Sequence, residues 1–324
     1  MKILAVLLNP TLDQIYEIEN FYIGGTFKVN KSIIYPVGKA ISFSLGVREL
    51  YAKENILKVI ACIGIDDIPL YSKFLASLKI DFDFIEVKGK TRSNKTINDP
   101  IKSTTTHIRE KGFKLEQKDL EKIAECLRET IEEGDIVILS GSIPPGVDDK
   151  TYYEMINLCK EKTAITALDS SGPALINGIK ANPNIIKPNL VELSQILDKP
   201  ELNDISFSDI SETCSLIANE AKALLNAELN IILVTLGENG AICITQDKSY
   251  YGNVQVDDVI DTVGSGDAFL AGFILNYLLK KEILECFKYA IACGAANTQI
   301  PGPGIFLKET VEELMKKVEI IDLS

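Results

Sequence analysis

Six short apolar runs recur along this chain: Lys2 to Leu8, Ile56 to Gly64, Asp135 to Ser140, Ala164 to Leu168, Ile185 to Lys187 and Ile231 to Thr235. A strand with one wet face alternates apolar and polar residues, whereas a run apolar at nearly every position has both faces dry. The stretches between them, such as Asp67 to Leu78, Glu116 to Ile131 and Asp148 to Cys159, are amphipathic at helical spacing and supply the cover. The pattern predicts an α/β fold in which helices cover both faces of a parallel sheet, with ligands at the carboxyl ends of the strands.

Two segments break this pattern. In Ile15 to Tyr35 and roughly Phe82 to Arg109, aromatic and β-branched residues alternate with polar ones around Gly24-Gly25 and Gly89. They predict an accessory sheet beside the ligand edge, either a lid over a small substrate or an edge decoration. There is no internal repeat and no linker. Residues 1–324 therefore predict one domain, with accessory strands from about 12–36 and 82–109.

Composition removes several function classes. The net charge is −12, the opposite of what a nucleic-acid surface needs. No apolar run reaches membrane-spanning length, and Ile3 to Leu8 is too short for a signal peptide. The seven cysteines are scattered with no close C-x-x-C pair, which fits buried thiols and a cytoplasmic location. His107 is the only histidine, so neither a zinc site nor a Ser-His-Asp triad is expected.

Asp261-Thr-Val-Gly-Ser-Gly-Asp267 leads into the apolar run Ala268 to Leu275. Gly264, Ser265 and Gly266 would let backbone N–H groups converge at a helix N-terminus, an anion site with Asp267 in the first turn as a candidate base. The same letters also fit a plain helix cap, with Ser265 as N-cap and Asp267 favoured by the dipole.

Further candidates share the expected ligand edge. Asp13 follows the first strand and would accept hydrogen bonds from sugar hydroxyls, or is a turn acid. Gly38-Lys39 puts a cation at a helix start, where a bound anion would justify it, yet Ala40 rules out a Walker A loop. Arg92 and Asn94 lie on the second accessory segment. Ser140-Gly-Ser-Ile-Pro-Pro-Gly146 leaves a strand through a turn that can present hydroxyls and amides to a phosphate or simply connect strand to helix. Lys187 ends a strand near Asn189 and Glu192, which fit a capping box; Glu192 could also hold hydrated Mg²⁺. Thr235-Leu-Gly-Glu-Asn-Gly240 is a turn on the same edge. Small residues through Tyr289 to Asn297 fit either close helix packing or the wall of an adenine slot, and Pro301-Gly-Pro-Gly304 stops that helix.

Asp261-Thr-Val-Gly-Ser-Gly-Asp267 resembles the C-terminal signature of the PfkB, or ribokinase-like, carbohydrate kinases. Asn9-Pro-Thr-Leu-Asp13, Thr91-Arg-Ser-Asn94, Ser140 to Gly146, Ile186-Lys-Pro-Asn189 and Cys293-Gly-Ala-Ala-Asn297 extend the likeness along the whole chain and narrow it to the 1-phosphofructokinase and tagatose-6-phosphate kinase branch. The resemblance implies a three-layer α/β/α sandwich with a mainly parallel central sheet and a small β-sheet lid. It implies MgATP as donor and a ketohexose phosphate as acceptor, with no nucleic-acid or membrane partner and a possible homodimer through the lid. Carried over by position, Asp267 is the base and Gly264, Ser265 and Gly266 the anion hole. Asp13, Gly38, Lys39, Ser42, Arg92, Asn94 and Ser140 would hold the acceptor, Lys39 and Arg92 facing its phosphate. Lys187, Asn189 and Glu192 would attend nucleotide phosphates and Mg²⁺, and Thr235, Gly237, Gly240, Gly266 and Asn297 would border the nucleotide.

One departure bears on the acceptor. Where the branch reads Gly-Gly-Lys-Gly-Ile-Asn, this chain reads Val37-Gly-Lys-Ala-Ile-Ser42, and the added side chains are expected to narrow the loop. That change motivates an alternative of another class, a catalytically weak sensor of nucleotide and sugar phosphate. His107 also stands where the branch often carries an acid.

Overall fold

The computed structural model describes residues 1–324. The first half of the chain forms β1 (Ile3–Leu7), β2 (Thr11–Glu17), β3 (Lys31–Val37), α1 (Lys39–Leu50), β4 (Leu57–Gly64), α2 (Ile68–Ser77), β5 (Asp81–Val87), β6 (Arg92–Asp99), β7 (Thr104–Arg109), α3 (Gln117–Thr130), β8 (Ile136–Ser140) and α4 (Thr151–Glu161). There follow β9 (Ile165–Asp169), α5 (Gly172–Ile179), β10 (Ile185–Ile186), α6 (Leu190–Leu197), α7 (Ile210–Lys222), β11 (Ile231–Thr235), β12 (Ala241–Ile244), β13 (Ser249–Asn253), α8 (Ser265–Leu278), α9 (Ile283–Asn297), α10 (Lys308–Met315) and β14 (Glu319–Asp322).

Ten strands form the central sheet in the order β14-β13-β12-β11-β10-β9-β8-β1-β4-β5. From β11 to β5 every pairing is parallel, and β12 to β14 add an antiparallel edge. The strand order reverses at β1, which pairs with β4 on one side and β8 on the other. Such a switch point opens a crevice at the strands' carboxyl ends. Successive residues of β1 serve opposite layers: Ile3, Ala5 and Leu7 join a core with Phe43 of α1, Tyr71 of α2, Phe273 of α8 and Phe287 of α9. Leu4 and Val6 join Ile123 of α3, Ile156 of α4, Leu175 of α5 and Ile217 of α7. Both faces are dry, as the apolar runs require. No helix is long and apolar enough to cross a membrane.

The second sheet has the order β3-β2-β6-β7. It is smaller than expected, because Phe82 to Val87 is not part of it. That stretch is β5, which lies parallel to β4 at the edge of the central sheet. Its alternation arises because each half packs on a different layer: Phe82 and Phe84 on one face, Ile85 and Val87 on the other.

Cross-strand register gives the lid two chemically different faces. Asp13 lies opposite both Tyr35 and Asn94, and Asn94 opposite Arg109; these share the face bearing the Asp13–Asn94 hydrogen bond. Ile34, Gln14, Lys95 and Ile108 form the neighbouring row and point the other way. The lid is rooted in the main body through Tyr71 of α2. Its ring is fully buried, and its hydroxyl donates to the Thr11 carbonyl at 2.7 Å and lies 3.3 Å from that of Val37. Tyr71→Phe should therefore lower stability to urea by about 1–2 kcal/mol, the cost of leaving buried carbonyls unpartnered; unchanged unfolding would show that this bond does not hold the root.

Candidate active site

The segment before α8 is fixed from several sides. Gly264 is the N-cap with φ +83°, and a Cβ there would come within 2.5 Å of the Gly304 nitrogen. Asp261 accepts from the N–H of Val263 at 3.0 Å and of Gly302 at 3.3 Å, while Asn297 donates its amide to the Val263 carbonyl at 2.9 Å. The Ser265 N–H is used by the Thr262 carbonyl, but those of Gly264 and Gly266 find no acceptor in the chain. The anion hole thus has two free donors at the positive end of α8 rather than three. Ser265 is not the N-cap, since that position is Gly264 and no side chain caps the helix, while Asp267 does lie in the first turn.

Asp267 faces a cluster of alternating charges. Its Oδ1 lies 3.7 Å from Lys39 Nζ, and the same ammonium is 2.9 and 3.1 Å from the two oxygens of Asp169. Lys187 Nζ lies 3.3 Å from Asp169 Oδ1 on the far side. Burial, reinforced by the Asp169 charge, pushes the Asp267 carboxyl up to about 6 against the pull of Lys39 and Lys187. For Asp169, burial is outweighed by Lys187 and Lys39, and its carboxyl is held below the usual range. Burial would lower Lys39, but Asp169 and Asp267 reverse the sign and raise it.

Asp169 was not singled out from sequence, although an acid closing an apolar strand at the ligand edge was a usable signal. It also recasts both lysines. Lys39, expected to face the acceptor phosphate, is paired with Asp169 and Asp267. Lys187, expected at the nucleotide phosphates, is buried on Asp169 behind the anion hole, where a Cβ on Gly266 would stand 3.4 Å from its Nζ.

On the acceptor side, Asp13 accepts from Asn94 Nδ2 and Thr11 Oγ1, each at 3.0 Å, and burial raises its carboxyl. Arg92 is held by the carbonyls of Pro10 and Asn9, each at 3.2 Å. Arg109, also missed in the sequence, shares the Asp13–Asn94 row and is exposed. The expected narrowing of the 37–42 loop does not occur: Val37 and Ala40 are buried in the apolar core, away from the crevice. Gly38 keeps a φ of +141° that a side chain would strain. Ser42 is buried beneath Gly304, where a Cβ would come within 2.0 Å of the Ser42 carbonyl. Ser140 is also buried, its hydroxyl without a partner in the chain. His107 sits exposed on β7, its Nδ1 3.1 Å from Thr96 Oγ1.

On the nucleotide side, the capping box is present: Asn189 Oδ1 accepts from the Glu192 N–H and Glu192 Oε2 from the Asn189 N–H, both at 2.8 Å. Thr235 bridges to Asn189, and Gly237 borders open space. Gly240 and Asn297 also make close internal contacts. A Cβ on Gly240 would strike the Gly252 carbonyl at 2.3 Å, and Asn297 is fully buried against the Val263 carbonyl. The small residues of α9 serve packing, since a Cβ on Gly272 would stand 2.7 Å from Cys293 Sγ. No group of three or more acidic, histidine or cysteine side chains could hold a metal. Glu192 Oε1, which makes no hydrogen bond in the chain, fits a hydrated Mg²⁺ that takes its other ligands from phosphate and water.

Residues 37–310 match the family model described as pfkB family carbohydrate kinase. The 1-phosphofructokinase of Bacillus subtilis is 29% identical, covering 99% of this chain and 100% of that protein. The tagatose-6-phosphate kinase of Staphylococcus epidermidis is also 29% identical, covering 99% of this chain and 100% of that protein. Phosphofructokinase-2 of Escherichia coli, solved in complex with substrates and products, superimposes with a TM-score of 0.86 at 22% identity, over 98% of this chain and 99% of that one.

Removing the candidate base tests the cluster. Asp267→Asn should lower kcat for phosphoryl transfer by about 10²–10⁴ with the KM for ATP little changed. Because the carboxylate is the active form, kcat/KM of the unsubstituted chain should fall as pH drops through about 6. An acid limb that survives in Asp267→Asn would assign it to another group.

Proposed function

We propose, on the premise that the chain belongs to the pfkB family of carbohydrate kinases, that it transfers the γ-phosphoryl group of ATP to a hydroxyl of a ketohexose phosphate, with fructose 1-phosphate as acceptor and fructose 1,6-bisphosphate as product. The observation that carries this reading is the buried carboxylate of Asp267 beside the free N–H groups of Gly264 and Gly266. Asp267 takes the proton of the attacking hydroxyl as its oxygen bonds to the γ-phosphorus and the bond to the β–γ bridging oxygen breaks. The two N–H groups, the start of α8 and Lys187 stabilise the charge on the group in transit. Glu192 would hold hydrated Mg²⁺, which neutralises phosphate charge when bound. Asp13 and Asn94 receive sugar hydroxyls; Arg92 and Lys39 receive the acceptor phosphate.

Tagatose 6-phosphate is the second reading, favoured by the equal 29% identity to relatives named for the two activities. Both use the same machinery. Of the residues that depart from the branch pattern, Val37 and Ala40 lie in the apolar core and Ser42 is buried, which weakens the motive for a catalytically weak sensor. The free cysteines accord with a cytoplasmic location. ADP release with MgATP should be fastest with fructose 1-phosphate in a panel that includes tagatose 6-phosphate, fructose 6-phosphate and unphosphorylated sugars. No turnover with any of them would refute the kinase reading.

We also read the lid as the surface of a homodimer. Its outward row exposes Ile34 and Ile108, and the β2–β3 connection exposes Tyr22 and Ile23. Sedimentation should give a dimer of the 35.7 kDa chain, and Ile34→Glu with Ile108→Glu should give a monomer. A monomeric unsubstituted chain would overturn this reading.

A further inference from the structure

The four charges at the site differ in how they can be reached. The side chains of Asp169, Lys187 and Asp267 are 0%, 4% and 9% exposed, whereas that of Lys39 is 40% exposed. They also differ in what they lose if Lys39 departs. Asp169 keeps Lys187 at 3.3 Å, but Asp267 has no ion pair other than Lys39. The groups that face Asp267 are Lys39 from α1, Asp169 from the end of β9 and Lys187 after β10, while Glu192 of α6 adds its charge at Lys39.

We propose that Lys39 is a substrate-displaced clamp: it holds Asp267 and Asp169 in the empty site and is handed to the phosphate of the acceptor when that binds, freeing the base. The inference rests on the kinase reading and deepens it. A phosphomonoester carries close to two negative charges near neutral pH, so it competes effectively for the ammonium of Lys39, the least buried side chain of the cluster. Asp169 tolerates the exchange because Lys187 remains. Asp267 is left beside Asp169 with no direct counter-ion, which strengthens it as a base at the moment a hydroxyl is positioned to lose its proton. Without the acceptor phosphate, Asp267 stays paired and is a poor base toward water. Lys39 is thereby a positioning residue for the base as well as a ligand for the acceptor.

Lys39→Met, which keeps the length and removes the charge, separates this role from simple phosphate binding. With fructose 1-phosphate, kcat/KM falls under either role. With unphosphorylated fructose, turnover of MgATP should rise severalfold over the unsubstituted chain, because the base is no longer clamped. Equal or slower turnover would overturn the proposal. A second measurement requires no turnover: the Asp267 carboxyl carbon can be followed by NMR and assigned by its loss in Asp267→Asn. Its titration midpoint should be higher in Lys39→Met than in the unsubstituted chain, and saturating fructose 1-phosphate should move the latter toward the former. A midpoint insensitive to both changes would also overturn the clamp. Failure of every sugar in the activity panel would instead count against the kinase reading, leaving the midpoint in Lys39→Met to decide the clamp.

Discussion

Asp169 and Lys187 cannot be buried separately. A carboxylate with no exposed surface and an ammonium almost as deeply covered are tolerable only as partners, since removing one member of a buried pair typically costs about 3–5 kcal/mol. Lys39 and Asp267 extend this pair into a chain of alternating charge. Its members come from the start of α1, the end of β9, the residue after β10 and the first turn of α8. Correct assembly of four distant elements is therefore a condition of electrostatic balance at the site. The geometry of the base and the stability of the sheet's carboxyl edge are one problem.

The sheet topology explains why those elements meet. The order of the strands reverses at β1 while their direction does not, so the loops after β1 and β8 diverge and leave a crevice between them. The lid departs from β1 at Asn9-Pro10 and returns through Val37 to α1, placing Asp13 and Lys39 on the two limbs of one excursion. Arg92 then ties the second pair of lid strands to the first by gripping the carbonyls of Asn9 and Pro10. Acceptor recognition and lid anchoring consequently share atoms, and a shift of the lid moves the groups that meet the sugar.

The sequence made the central sheet legible because burial on both faces leaves a strong one-dimensional trace. β5 escaped because its apolar residues switch faces halfway, which imitates a strand with one wet side. Motif residues were also legible as positions, but their partners were not. Gly264 and Asp267 are local in the chain, whereas Asp169 matters only because Lys39 lies 130 residues away in sequence and 2.9 Å away in space. Asn297 and Gly240 show the converse. Both stand on the ligand edge in sequence, yet packing turns the first onto Val263 and requires the second for close passage over Gly252.

The Pro301-Gly-Pro-Gly304 segment, which reads in sequence only as a helix stop, has a larger structural role. A Cβ on Gly304 would stand 2.0 Å from the Ser42 carbonyl, and one on Gly264 would stand 2.5 Å from the Gly304 nitrogen. Backbone is therefore stacked on backbone from the acceptor side, through residues 303 and 304, to the anion hole, with no room for a side chain between the layers. The neighbouring Gly302 donates to Asp261 and packs under Tyr35 of the lid face that carries Asp13. A stack of main-chain atoms has few soft degrees of freedom compared with interlocked side chains, so it fixes the separation between acceptor and donor sites more tightly. In-line transfer depends on that separation, because an error of about 1 Å between reacting groups can cost 10²-fold in rate. Glycine at 264 and 304 is required by this approach as well as by the left-handed backbone at each position.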